Sequence, residues 1–241
     1  MSSPSPLALI NLQASALFVS NHANRLQYIR EPGYPEAELP SAPRFFMGRT
    51  LEGNIWRFRE DLPDALVAEL DAVCKSEPIA NNLCELPQTP DRIRALLHGH
   101  APVTHEERGP AFWIPAGDHS ISAAITLTEA DLPALATHYA WKHISLPGYE
   151  LGPTAAVIID GVAVSMCFCS RIIDQVAEAG IGTIESERGK GYASAVAGDW
   201  AAAVRQSGRI PLYSTSWNNL ASQGVARHLG MVCYGDDWSI A

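Results

Sequence analysis

Apolar residues along this chain recur either every second position or at helical spacing, in blocks separated by Gly, Pro and acidic runs. Residues 30–43, REPGYPEAELPSAP, break the periodicity and predict a long surface loop. RFFMGRT and NIWRFRE flank Leu51-Glu52-Gly53 and predict a short hairpin. In DLPDALVAELDAVCKSE, Leu66, Leu70 and Val73 form one stripe of a helix that starts at Asp61 or Pro63. TPDRIRALLHG opens on Thr-Pro-Asp and predicts a second short helix ending at Gly99. The first half reads as α+β, without recognisable chemistry.

The pattern changes near residue 119. ISAAITLT alternates and closes on Thr128 as a cap, and EADLPALATHYAWKHI then has helical periodicity. TAAVIID and VAVSMCFCS flank Asp160-Gly161, the strongest short-range hairpin signal in the chain. QVAEAGIGTIE predicts a strand that runs into a Gly-rich turn and a helix, KGYASAVAGDWAAAVRQSG, closed by Gly208. PLYSTSW predicts a strand, NLASQGVARHLG a helix capped by Asn219 and ended by Gly230, and MVCYGDDWSI a last strand. The order from 119 onward is β-α-β-β-β-α-β-α-β. We expect an α/β chain in two parts: an α+β region at 1–118 and a second domain at 119–241.

Composition narrows the classes. A 241-residue chain that is 47% hydrophobic buries roughly 70–75% of its unfolded surface, as one large domain or two small ones. Its net charge of -9 repels phosphate backbones and acidic lipids, so neither nucleic acid nor a membrane is an expected partner. The N-terminus lacks the basic residues that precede a secretory signal core, which predicts a cytoplasmic protein. Five cysteines are too few and too irregular for a disulfide framework. Cys167 and Cys169 share one strand face and read as small apolar groups. No metal site is expected, since His138 and His143 do not share a helix face and His98 and His100 sit at a helix end. Without a Gly-x-Ser-x-Gly elbow, a Ser-His-Asp hydrolase is unsupported. Trp141, Trp200 and Trp217 read as core or pocket wall.

The candidate chemistry lies in Arg188-Gly189-Lys190-Gly191-Tyr192-Ala193, where a strand turns into a helix. Such a turn aims backbone N–H groups and the positive helix end at one point, an anion site suited to a pyrophosphate. The spacing is not that of a phosphate-binding NTPase loop, and no ribose-binding acid follows at dinucleotide spacing. Gly180 and Gly182 alternate in the preceding strand, where glycine signals either a ligand close to the backbone or a bulge.

Residues 119–241 resemble the GNAT superfamily of acyl-CoA-dependent N-acyltransferases. The family signature Arg/Gln-x-x-Gly-x-Gly/Ala is matched by Arg188, Gly191 and Ala193, and its later Asn-helix-Gly-Phe segment by Asn219 through Gly230-Met231. The resemblance implies a mixed central sheet whose fourth and fifth strands splay, with the pantetheine arm of acetyl-CoA between them. It implies ligand contact along Gly180, Gly182, Thr183 and Ile184. Pyrophosphate contact falls on Arg188, Gly189, Lys190, Gly191, Tyr192, Ala193 and Ser194, with Ser194 as cap or phosphate contact. Further contacts come from Asn219 and Ser222.

The implied reaction is direct attack of a primary amine, on a small molecule or a peptide, with no metal and no covalent enzyme intermediate. Glu178 stands where several family members carry a carboxylate and is the candidate general base. The family's usual Tyr is replaced by Ala226, leaving Tyr213 as the candidate acid and Tyr234 as a second substitute. That departure keeps open a non-catalytic acyl-CoA sensor or scaffold, and transfer to a non-amine acceptor. Residues 1–118 share no general signature and are expected to supply part of the acceptor site. A homodimer is left open.

Overall fold

In the computed structural model, which describes residues 4–117, 123–141 and 151–241, the chain starts with a helix that the periodicity did not signal. The side chain of Ser5 caps α1 (Pro6–Leu17) by accepting from the Ala8 amide, and Pro6 occupies the first turn. A small antiparallel pair follows, β1 (Phe18–Ser20) with β2 (Leu26–Ile29). The 30–43 stretch is irregular apart from a 3-10 turn at Glu36–Glu38 and an isolated bridge at Ser41. Then come the hairpin β3 (Phe45–Arg49) and β4 (Asn54–Phe58), and the helices α2 (Asp64–Ser76) and α3 (Pro90–His100). Helix α3 runs through Gly99 instead of ending there.

β5 (Glu106–Trp113) forms where Gly109 and Pro110 argue against a strand. The strand expected over ISAAITLT is two residues long in its described part, β6 (Ile125–Thr126), and Ile121 and Ser122 lie outside the described residues. The helix expected next is a 3-10 segment, Glu129–Leu135, held at its start by a Thr128–Asp131 capping box. Pro133 within it removes the amide a regular helix needs, and the expected end, with His143, lies outside the described residues.

β7 (Thr154–Ile159) and β8 (Val162–Ile172) are joined by Asp160 and Gly161 at φ 50° and 77°, the pair of positive φ angles that matches strand twist. β9 (Val176–Thr183), α4 (Tyr192–Gln206), β10 (Ile210–Ser214), α5 (Leu220–His228) and β11 (Val232–Ile240) complete the chain. No helix among the described residues is long and apolar enough to cross a membrane.

Nine strands join one mixed sheet in the order β4-β3-β11-β5-β10-β9-β8-β7-β6. β9 and β10 are parallel, and every other pairing is antiparallel. The α/β class with a mixed sheet therefore stands. The boundary expected at 118/119 falls within the undescribed residues, and the sheet takes strands from both sides of it. β5, from the first half, sits between β10 and β11.

Alternation along the strands gives the sheet two different faces. Ala177, Tyr213 and Phe112 meet α4 and α5 around the fully buried Trp200. Val176, Leu212 and Ala111 face the other way and meet Leu9, Ile10 and Ala16 of α1. These two faces divide the chemistry described below.

At Gly109 the chain that follows β10 crosses β5 so closely that a Cβ would lie 1.6 Å from the Thr215 carbonyl oxygen. Gly109→Ala should therefore separate the two segments and destabilise the protein by about 3 kcal/mol or more. A melting temperature unchanged from wild type would contradict this close crossing.

Candidate active site

β9 and β10 pair over three rungs, Ile210 with Val176, Pro211 with Ala177 and Leu212 with Glu178, and then part. Beyond that point β9 stays on β8 as far as Thr183, while Tyr213 and Ser214 stay on β5. Each strand keeps one neighbour. The gap between them presents two strand edges with backbone groups that make no rung to each other, a geometry that accepts an extended ligand.

On the α4–α5 side this gap opens into a cavity of about 610 Å³. Gly182 and Thr183 reach its wall from β9, and Arg188, Gly189 and Gly191 from the loop. Tyr192, Ala193 and Ser194 contribute from α4, Tyr213 from β10, and Asn219 and Ser222 from α5. Ile184 and Lys190 are not in the wall. Ile184 packs into the apolar clusters beside it, and the Lys190 ammonium is held 2.9 Å from Glu187 Oε2.

The loop's shape follows from its glycines. Gly189 and Gly191 have φ of 78° and 82°, and Gly191 is the residue before the first turn of α4. A Cβ at either would meet no atom within 4 Å. The Gly191 carbonyl accepts from the Ser194 and Ala195 amides, each at 3.1 Å. Tyr192 and Ala193 supply amides that helix geometry leaves without an intrahelical acceptor. Ser194 is the third helical residue and does not cap the helix, because Gly191 takes that position. At α5 the Asn219 side chain caps, accepting from the Ser222 amide at 3.1 Å.

The opposite face carries the acids. Glu178 is not an exposed strand-end residue; it is 4% accessible and faces α1. Ser214 Oγ donates to its Oε1, its backbone oxygen accepts from Ser170 Oγ at 3.0 Å, and its Oε2 is buried without a hydrogen-bond partner. Burial pushes the carboxyl above the usual carboxylate range, against the opposing effects of Ser214 and nearby Arg171.

Asp237 of β11 stands beside it. Gln13 Nε2 donates to Asp237 Oδ2 at 2.6 Å, and Tyr234 donates to Gln13 Oε1 at 2.9 Å. Burial first, then the neighbouring Glu178 and Asp236, raise Asp237 well above its ordinary range. This explains the buried Gln13 on α1. A second cavity, about 310 Å³, opens on this face and is lined by Asp237, Ser214 and Arg171 together with residues of the first half.

The two candidate tyrosines are separated by the sheet. Tyr213 is buried against Phe112 on the α4–α5 side, where burial raises its phenol and the adjacent Ser222 hydroxyl opposes that shift. Tyr234 lies on the α1 side, bound to Gln13. Ala226 is fully buried in the core between α5 and the sheet. The first half also braces the approach to α5: Arg49 and Arg108 both bond Asp236, at 3.0 and 2.8 Å through Nε. Asp236 in turn accepts from Trp217 Nε1 at 2.7 Å, just before Asn219.

The room left by the β9 glycines is filled by protein. A Cβ on Gly180 would lie 2.5 Å from the Phe168 ring, and one on Gly182 would lie 3.2 Å from Tyr139. These glycines admit aromatic rings on the α1 side, which replaces the expectation of an open strand face. Asp237, Ser214 and Gln13 were not singled out in the sequence. The available signal was a polar residue, Gln13, at helical spacing from the apolar Leu9, Ile10 and Ala16.

Residues 148–236 match the family model described as GNAT acetyltransferase. The match lies wholly within the C-terminal half of the chain, where the sequence motifs resemble that family. Similar solved structures include a GNAT-family protein of Novosphingobium aromaticivorans, 20% identical, covering 57% of this chain and 65% of its own, with a TM-score of 0.44. A GCN5-related N-acetyltransferase-like protein of Streptococcus suis is 16% identical over 62% of this chain and 68% of its own, at a TM-score of 0.47. A GNAT-family acetyltransferase of Colwellia psychrerythraea is 14% identical over 100% and 98%, at 0.48. The chain spans 65% of the first of these. No curated protein matches the chain.

The raised Asp237 gives a signed prediction. The folded protein retains a proton there that the unfolded chain releases at lower pH. The cost of burial is therefore absent below the ordinary carboxylate range, grows as pH rises through it, and is complete above the folded-state range. Each pH unit in between is worth about 1.4 kcal/mol, or a few degrees of melting temperature. Asp237→Asn keeps the Gln13 contact and should melt higher than wild type at neutral pH, with the difference closing as pH falls toward about 4. A difference that widens on acidification would contradict this placement of the charge.

Proposed function

We propose that the chain transfers an acetyl group from acetyl-CoA to a primary amine by direct attack. The observation that carries this reading is the parted β9–β10 ladder, with a phosphate-sized loop and cavity on one face and a buried carboxylate on the other. Acetyl-CoA supplies an activated thioester carbonyl. The open space at Gly189 and Gly191 and the first-turn amides of α4 suit its pyrophosphate, and the free strand edges suit its amide-bearing arm.

Glu178 is placed to accept a proton from the acceptor ammonium. A carboxyl raised toward neutrality by burial suits that role better than an ordinary one. The amine nitrogen then bonds to the thioester carbon, the carbon–sulfur bond breaks, and the sulfur leaves on the side where Tyr213 stands, while the second proton that the nitrogen loses on becoming an amide passes to the thiolate or to solvent. Tyr213 can hold or protonate that sulfur, although a thiolate of pKa about 8.5 is already a fair leaving group. Acetyl specificity, the amine acceptor and the residue roles are all parts of this proposal.

Two variants test it. Gly224 lies in the cavity wall on α5 and a Cβ there would meet nothing nearer than the Arg227 side chain at 3.9 Å. Gly224→Phe should leave the unliganded melting temperature unchanged or slightly raised, since glycine is a poor helix former by about 0.5 kcal/mol. It should weaken acetyl-CoA binding, measured by calorimetry, by about tenfold or more. Wild-type affinity would move the cofactor elsewhere.

Glu178→Gln keeps shape but cannot take the proton. Acetyl-CoA should still bind while free-thiol release with an amine falls by about 10²-fold, a loss that shrinks at high pH where more acceptor is neutral. An unaffected rate would remove Glu178 as the base.

A further inference from the structure

The cavity on the α1 face differs from the α4–α5 cavity in composition, and its wall includes Ser214, the hydroxyl partner of the buried Glu178. From the acyl-transfer reading above, on which this inference rests, we propose that this cavity takes a small aliphatic diamine as acceptor, with the reacting amine between Glu178 and Asp237 and the second ammonium at Glu107.

Strand register gives the spacing. Ala111, Gly109 and Glu107 alternate along β5 on the α1 face, opposite Gly235, Asp237 and Ser239 of β11, and Ala111 is also opposite Ser214. Along the strand direction Asp237 therefore lies two residues, about 7 Å, from the level of the Ser214–Glu178 contact, on β11 across β5 from it, and Glu107 of β5 lies two residues further along. Asp237 is partly buried and Glu107 is exposed, so the acids run from the inner part of the cavity to its mouth. Such a two-residue step is the reach of an extended chain of about four methylenes.

Leu17, Phe18, Ile29, Pro43 and Phe46, all from the first half, form an apolar wall along this row. An acidic floor beside such a wall suits a cation at each end of a hydrocarbon chain. A second observation also points to a ligand here: Glu178 Oε2 is buried with no hydrogen-bond partner, beside an Asp237 whose charge burial opposes. An incoming ammonium would answer both carboxyls.

The wall's own cations hydrogen-bond elsewhere, although Arg171 lies near enough to oppose part of the effect of burial on Glu178. Arg171 places one terminal nitrogen 3.0 Å from Glu31 and donates the other to the Ser170 carbonyl, and His105 sits 3.7 Å from Glu107 at the mouth. An acceptor with a carboxylate at its far end would meet the acid at Glu107.

The test uses the full chain with acetyl-CoA and three acceptors built on the same four-carbon chain: diaminobutane, butylamine and γ-aminobutyrate. Free-thiol release should give diaminobutane a kcat/KM about tenfold or more above butylamine, the worth of one charge-assisted contact, with γ-aminobutyrate lowest. Glu107→Gln should narrow the advantage of diaminobutane over butylamine. Calorimetry of diaminobutane with the CoA-loaded protein reads binding apart from turnover. Diaminobutane that binds, and binds less well in Glu107→Gln, without thiol release from any amine would support this site and overturn the acyl-transfer reading. Turnover that is equal for the three acceptors, or best with γ-aminobutyrate, would overturn the diamine assignment and leave acyl transfer standing. Diaminobutane that neither binds nor reacts would also overturn it.

Discussion

The site depends on a ladder that stops. β9 and β10 share three rungs and then separate at Glu178 and Leu212, and the separation is tolerable because each strand remains bonded on its far side, β9 to β8 and β10 to β5. Were either outer neighbour absent, the parting strand would lose its last partner and the gap would have no reason to keep its shape. β5 is therefore as much a part of the site as the loop at Arg188–Ala193, although it carries none of the sequence motif. The Asp236 network adds a second brace from the first half, fixing Trp217 immediately ahead of the Asn219 cap.

The same gap joins two unlike environments. On the α4–α5 side are glycines at positive φ, open helix amides and a phenol. On the α1 side are two carboxyls whose burial opposes their ionisation. An unfavourable charge environment in the unliganded protein is a common feature of sites that later receive an opposite charge. Here it is maintained by α1, whose Gln13 reaches Asp237 and Tyr234 at once.

Much of the second half was legible because its local signals agree with its tertiary role. Asp160-Gly161 makes the turn its dipeptide demands, and Asn219 caps the helix it was expected to cap. The glycines of β9 were ambiguous, since a missing Cβ leaves room without saying what fills it; Phe168 and Tyr139 fill it. Pro133 turned a helical pattern into 3-10 geometry. The acids of the α1 face escaped notice for a different reason. Asp237, Ser214 and Gln13 are brought together by strand register and helix docking, and no spacing along the chain records that meeting.

β5 was hidden by Gly109, Pro110 and the charged run Glu106-Glu107-Arg108, and its place in the sheet gives those residues a use during synthesis. It emerges roughly 100 residues before β10 and β11, an interval of roughly 5–20 s at ribosomal rates. Through that interval a strand destined for the middle of the sheet has neither neighbour. A proline that cannot donate, a glycine that adds no side chain and three adjacent charges are the features that keep a solitary strand from pairing with other nascent chains. The composition that disguises the strand from a reader of the sequence also disguises it from the wrong partners in the cell.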